Sequence, residues 1–231
     1  MSSQAPKPAE FGTFEFTFKP NRKLGLIGHR ELLRIAEAAE CRVTGWPIGV
    51  TMTRPEYSPK PVEDGIEALI DLRDQATSLR DTVDYWKLFR DGRLFFMRSY
   101  EEDTVWEGPA RTQLHVDTRI RRVAEAFLYC SRLVNNLGLD SADEVSIRFS
   151  HDALKGRELG VADRNRLMHG GWKCHVDQVD KLLVVAVATI APAISDLTYQ
   201  VTSELFGMFD YFEMRQPTCS SIVEDLLRQK V

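Results

Sequence analysis

Three side chains that can ligate metals, His169, Cys174 and His175, fall in one short stretch, and Cys219 could join them in space. Structural zinc takes imidazole and thiolate donors in close pairs, as in Cys-x-x-Cys or two histidines a helical turn apart. His169 and His175 are separated by five residues, the outer limit of that window, and no Cys-x-x-Cys completes the set. The stretch reads as a polar loop with a buried thiol, and no metal is expected. Glu101-Glu102-Asp103 is the other candidate, since carboxylates are the hard oxygen ligands a divalent cation prefers. At the exit of a hairpin such a run is more ordinarily a solvated end.

Covalent chemistry finds less support. There is no Gly-x-Ser-x-Gly elbow, and no cysteine stands in a nucleophile signature with a histidine. Cys41 and Cys130 fall at or near the ends of helices lined by apolar positions, where a thiol behaves as a small hydrophobe. Gly25-x-x-Gly28 and His169-Gly170-Gly171-Trp172 lack the Lys-Ser/Thr or the strand-to-helix setting of a phosphate loop, so no cofactor is expected. A nuclease needs an acid and then acid-x-Lys on the adjoining strand. The stretch at 175–181, His-x-Asp-x-x-Asp-Lys, lacks that spacing. An enzyme acting on nucleic acid or nucleotides would have to gather Glu101, Glu102, Asp103, His151 or His169 in a cleft.

Lys87, Arg90, Arg93 and Arg98 surround an aromatic-rich hairpin over residues 84–100. Asp91-Gly92 tolerates the positive φ of a tight turn. With those two residues as the loop, Arg90 faces Arg93, Leu88 faces Phe95 and Trp86 faces Met97. Trp86, Leu88, Phe95 and Met97 then share one apolar face, because side chains alternate along a strand. Tyr85, Lys87, Phe89, Leu94, Phe96 and Arg98 occupy the other, which is too apolar to be simply wet. The candidate binding surface is therefore Lys87, Phe89, Arg90, Arg93, Leu94, Phe96 and Arg98. A basic hairpin with aromatics can enter a groove or stack bases. Charged hairpin tips also serve solubility, as do Arg119, Arg121, Arg122 and Arg132 on a solvated helix face.

The elements that must position these groups follow from periodicity. Phe14, Phe16 and Phe18 alternate with polar residues in a strand over 11–18, and an amphipathic helix over 29–41 carries Leu32, Ile35 and Ala36. Residues 45–53 are a strand candidate beginning at a bend, because Pro47 donates no ladder bond. The proline-rich 54–61 is an extended loop. Residues 63–79 read as a helix with Ile66, Leu69, Ile70 and Leu72 buried, and Gly108-Pro109 as a turn. Residues 117–137 give the clearest helix, closed by Gly138. Val145, Ile147 and Phe149 alternate as a strand, Lys155-Gly156-Arg157 suits a second hairpin turn, and 172–179 suits a final strand. Residues 180–212 read as two helical segments divided at Pro192, with a short helix at 220–227. Arg34-Ile-Ala-Glu-Ala and Arg122-Val-Ala-Glu-Ala echo one another, so halves at 24–107 and 111–212 could be a pseudo-repeat.

At 231 residues, 43% hydrophobic and 28% charged, the chain has the composition of a soluble globular protein with a real core. A net charge of −4 supplies no basic field to attract nucleic acid. Four scattered cysteines in a chain this size read as reduced thiols, which places it in the cytoplasm. Residues 1–10 have no apolar core of a signal peptide and read as a disordered lead-in. The most apolar run, 182–193, is shorter than the roughly 20 residues a bilayer span needs and reads as a core helix, so no membrane partner is expected.

Several residues in order carry a resemblance: Gly45-Trp46-Pro47-Ile48, Val62-Glu63-Asp64-Gly65-Ile66-Glu67, Tyr85-Trp86, Asp91-Gly92-Arg93 and Tyr100-Glu101-Glu102-Asp103. Over about 24–212 the chain resembles the region downstream of the Schlafen-type AlbA-like domain in bacterial DNA-binding or ATP-binding regulators. The resemblance implies an accessory or sensing module. The residues before Phe11 are too few to hold the AlbA-like domain itself, so no DNA- or nucleotide-binding residues carry over.

The expected fold is α+β, a single domain over 11–231 with an antiparallel or mixed sheet and helices packed on one face. The expected function is a non-catalytic binding, sensing or oligomerisation module of a bacterial regulatory or defence-type assembly, working by self-association or on a protein partner. The alternatives are the metal-dependent enzyme above and a small-molecule sensor built on Trp46, Trp86, Trp106 and Trp172.

Overall fold

Phe14, Phe16 and Phe18 point to one side of β1 (Thr13–Pro20), and all three are buried. This strand lies in the interior of the sheet because its neighbours pair with it along both edges. The computed structural model describes residues 11–72, 82–104, 112–163, 166 and 168–229. After β1 come α1 (His29–Ala39), β2 (Lys60–Val62), β3 (Gly65–Asp71), β4 (Val83–Phe89), β5 (Leu94–Ser99) and the single turn α2 (Glu101–Thr104). Then follow β6 (Gln113–His115), α3 (Val116–Asn136), β7 (Glu144–His151), β8 (Glu158–Gly160), β9 (Val179–Ala186), α4 (Val187–Ile190), α5 (Ile194–Gly207) and α6 (Gln216–Arg228). The lead-in at 1–10, residues 73–79, Trp106 and Gly108-Pro109 lie outside the described residues.

Seven strands form one antiparallel sheet, ordered β2-β3-β4-β5-β1-β7-β9, while β6 and β8 make a short parallel pair. The inner face of the sheet presents Phe16, Trp86, Leu88, Phe96 and Phe149 to a core shared with Leu32 and Ile35 of α1, Ile120 and Phe127 of α3 and Val201 of α5. The fold is thus α+β. Helix α3 packs on α1, α5 and α6 and is buried along most of its length, since its apolar residues cover more than one stripe. It ends as Gly138 takes φ +65°: the Gly138 and Leu139 amides bond back to the Asn135 and Val134 carbonyls, at 3.2 and 3.1 Å.

The hairpin forms, but one residue out of the expected register. Gly92 (φ +82°) serves as the bulge residue of a three-residue loop, with the Gly92 amide bonded to the Phe89 carbonyl and the Phe89 amide to the Arg93 carbonyl. Leu88 therefore faces Leu94, and Trp86 faces Phe96. A one-residue slip moves every side chain of a strand to the opposite face. Leu94, Phe96 and Arg98 consequently join Trp86 and Leu88 against the helices, and Phe95 and Met97 turn outward with Tyr85 and Lys87.

Five other expectations are corrected. Residues 65–71 are β3 rather than helix: Ile66, Ala68 and Ile70 alternate inward and Leu69 outward, a period of two that the helical reading overlooked by passing over Ala68. Residues 45–53 are loop, because Gly49 takes φ +65° against the Tyr129 ring, and the Trp46 and Pro47 carbonyls bond to arginines instead of a ladder. Residues 179–186 are β9 rather than helix, paired along their length with β7, so half of the apolar run at 182–193 is strand. Its Val-rich composition favours a pleated surface. The expected strand at 172–179 reduces to isolated bridges at Lys173 and Cys174. Lys155-Gly156 does turn, with Gly156 at φ +85°, but β7 and β8 do not pair; β8 runs parallel to β6.

Gly65 tests the observed packing of β3 on β4. A Cβ there would lie 2.2 Å from the Leu88 carbonyl oxygen and 2.9 Å from Phe89 Cα, and backbone cannot move aside cheaply. Gly65→Val should cost about 1–3 kcal/mol of stability, read from the urea midpoint. A helix at 63–79 would instead gain from the replacement of a glycine.

Candidate functional site

The hairpin residues proposed for binding do not make an outward surface. Leu94 and Phe96 are core, and Arg98 is buried among them. Lys87 is on the outer face yet also buried, with its ammonium 2.7 Å from Asp64 and 3.7 Å from Glu67. Phe89 is half-buried between two cations, Lys87 Nζ at 5.0 Å and the Arg93 guanidinium at 4.7 Å from its ring centre. Arg90 donates through Nε to the Ile27 carbonyl at 3.1 Å, tying the loop before α1 to the hairpin tip. Arg93 is the exposed member, paired with Asp91 at 2.7 Å.

The register places a polar row across one end of the inner sheet face: Asp84 opposite Arg98, Arg98 opposite Phe14, and Phe14 opposite His151. Arg98 grips Asp84 with two bonds, of 2.7 and 2.6 Å, and donates to the Trp46 and Pro47 carbonyls at 3.1 and 3.0 Å. The Trp46 indole N–H donates to Asp84 in turn. Directly beyond β5, the chain enters Tyr100 and the acids of α2. Asp103 takes a two-point contact from Arg157, at 2.8 and 2.6 Å, and accepts the Gly12 amide at 2.8 Å. Glu102 bonds Arg119 at 3.0 Å and the His115 amide at 2.8 Å. Glu101 pairs with Arg119 and, at 2.6 Å, with Arg122, which also meets Glu125 at 2.7 Å. Tyr100 is sandwiched between the Arg119 and Arg157 guanidiniums, each 4.8 Å from its ring centre.

These acids are thus neither a solvated end nor a cation site; each is matched to a guanidinium. Burial would raise the Glu101 carboxyl, but the Arg122 and Arg119 charges outweigh it and hold it well below the usual carboxylate range. Burial drives the Tyr100 phenol well above its usual value against the pull of both arginines, so it stays protonated. His151 packs between Phe14, tilted at 5.2 Å between ring centres, and Tyr100, stacked at 6.4 Å, and burial with the nearby Arg119 charge pushes it down to about 3. Its Nε2, the Tyr100 hydroxyl and Arg119 Nε are buried without a hydrogen-bond partner. The layer clamps β4, β5, α2 and α3 together.

The remaining candidates are dispersed. His175 Nε2 bonds Asp210 at 2.8 Å in the open, the Cys174 thiol donates to the Val176 carbonyl at 3.3 Å, and Cys219 is buried in α6 near Thr202. Among the described residues no three His, Cys, Asp or Glu side chains are placed to share a metal. Trp86 is in the sheet core, Trp46 is bound to Asp84, and Trp172 packs edge-on to Phe212 at 5.0 Å. Among the described residues no helix is long and apolar enough to cross a membrane.

The exposed apolar surface lies elsewhere. Leu182 and Val184 project from the outer face of β9 with 59% and 53% of their surface exposed, and β9 is the last strand of the sheet. The opposite edge, β2, has three residues and carries Pro61. Reading 180–212 as helix hid this edge; the β-branched Val179, Val184 and Val185 were the signal for it. Comparison with known proteins finds no match, whether to a family model, a curated protein or a solved structure.

Two measurements test the buried layer. Arg98→Met leaves Asp84 buried without its charge partner and should cost about 3–5 kcal/mol; adding Asp84→Leu should recover part of this, giving clear coupling in a double-mutant cycle. His151 is neutral in the fold and takes up a proton near pH 6.5 once unfolded, so stability falls as pH drops from there toward about 3. Glu101, held ionised, adds to the same loss at the acid end. His151→Phe should flatten the upper part of that fall, by up to about 1.4 kcal/mol per pH unit in urea melts between about pH 6.5 and 5.

Proposed function

We propose that this chain is a non-catalytic binding module that acts by self-association, pairing β9 of one copy with β9 of a second. The observation that carries the reading is the contrast between the sheet edges. Natural sheets blunt an open edge by shortness, proline, bulges or charge. β2 has the first two, whereas β9 pairs with β7 over eight consecutive positions without a bulge, confines its charges to Asp180-Lys181 at its start, and carries Leu182-Leu183-Val184-Val185 beyond them.

Antiparallel pairing about a twofold axis at Leu183 sets Leu182 of one copy opposite Val184 of the other. The exposed side chains of both copies then meet on one face, and the free backbone groups of each edge are satisfied together. The matching of the acids in the polar layer to arginines supports a binding role over a catalytic one. The resemblance to the region downstream of an AlbA-like domain supports a setting in a bacterial regulatory or defence-type assembly, where a pairing module would bring its neighbours together.

Light scattering on the size-exclusion eluate should give twice the chain mass for the wild type. Val184→Lys, which charges the edge, should give the chain mass with an unchanged circular dichroism spectrum. A wild-type chain that elutes as a monomer at high concentration removes the proposal.

A further inference from the structure

A cavity of about 260 Å³ opens beside the ion-pair layer, lined by Val43, Thr44, Gly45, Thr118, Arg121, Arg122 and Gln229. Three distant parts of the chain meet there: the loop after α1, the first turns of α3 and the end of α6. Among the described residues its lining holds two guanidiniums and no carboxylate, in a chain of net charge −4. Arg122 is neutralised by Glu101 and Glu125. Arg121 is not: it makes no hydrogen bond or ion pair among the described residues. The acids one turn either side of it on α3 are committed elsewhere. Asp117 accepts the Ala162 and Asp163 amides at 2.9 and 2.8 Å, and Glu125 holds Thr44 and Arg122 at 2.7 Å each.

We propose that this cavity binds a small oxyanion of the phosphate type, either the free ion or a compact phosphate ester. The unspent guanidinium of Arg121 supplies a planar two-donor fork, the geometry that matches two oxygens of such a group. Thr118, one turn before Arg121 on α3, and Gln229 at the end of α6 add a neutral hydroxyl and amide to the lining. Arg122, held rigidly by its two carboxylates, gives one wall a fixed position. The site is separate from the β9 edge, so it stands or falls independently of the pairing proposed there.

Isothermal titration calorimetry on the whole chain, at fixed ionic strength, tests this with inorganic phosphate, a simple phosphate monoester and acetate. Saturable binding of phosphate or its ester is expected, and Arg121→Gln should weaken it by about tenfold or more, the loss of a charge-assisted contact. Arg121→Lys, keeping the charge but not the fork, should fall between. Among the described residues Arg121 has no partner to lose, so the variants should keep the wild-type melting temperature in chloride, and Arg93→Gln serves as the control that leaves binding intact. The proposal is overturned if phosphate and its ester do not bind, if acetate binds as well as they do, or if Arg121→Gln binds as tightly as the wild type.

Discussion

Three guanidinium groups, those of Arg98, Arg119 and Arg157, are buried, and the rest of the structure is arranged to satisfy them. An unpaired charge in that position would cost several kcal/mol, so each must sit against a carboxylate in good geometry. Asp84 comes from the neighbouring strand, Glu101 and Glu102 from the turn after β5, and Asp103 from the end of the same turn. The partners belong to segments far apart in sequence. Neutralising the charges therefore fixes how β4, β5, α2, α3 and the turn around Arg157 meet.

That constraint consumes the groups that would otherwise suggest chemistry. Four acids and a tyrosine close together look like an active site by composition, yet every carboxylate is held ionised or bonded by an arginine. His151 is kept neutral by the same burial. Outside the layer, the molecule presents a long apolar sheet edge and a cavity where one arginine of α3 is left over. Neither requires the polar layer to open.

Much of the architecture was legible because periodicity is local. The phenylalanines of β1, the apolar stripes of α1 and α3, the alternation of β7 and the Gly138 stop all follow from side-chain spacing and backbone sterics within a few residues. The hairpin was legible too, but not its register: Asp91-Gly92 fits both a two-residue loop and a three-residue loop with a bulge, and the choice moves Leu94, Phe96 and Arg98 from one face to the other. Segments 65–71 and 179–186 failed for a related reason. Short apolar runs satisfy helical and extended spacing alike, and only pairing with β4 and β7 selects the strand.

By itself the sequence determined which residues had to leave water and where the chain had to turn, since hydrophobicity and the conformational range of glycine and proline belong to the residues concerned. What only the tertiary structure decided was who meets whom. Glu101-Glu102-Asp103 could have been a wet end or a cation site until Arg119, Arg122 and Arg157 were brought over them. Arg121 and Arg122 are neighbours of identical chemistry that line one cavity, yet among the described residues Arg122 is neutralised by two carboxylates and Arg121 by none. Such outcomes depend on distances between remote segments, and no local pattern encodes them.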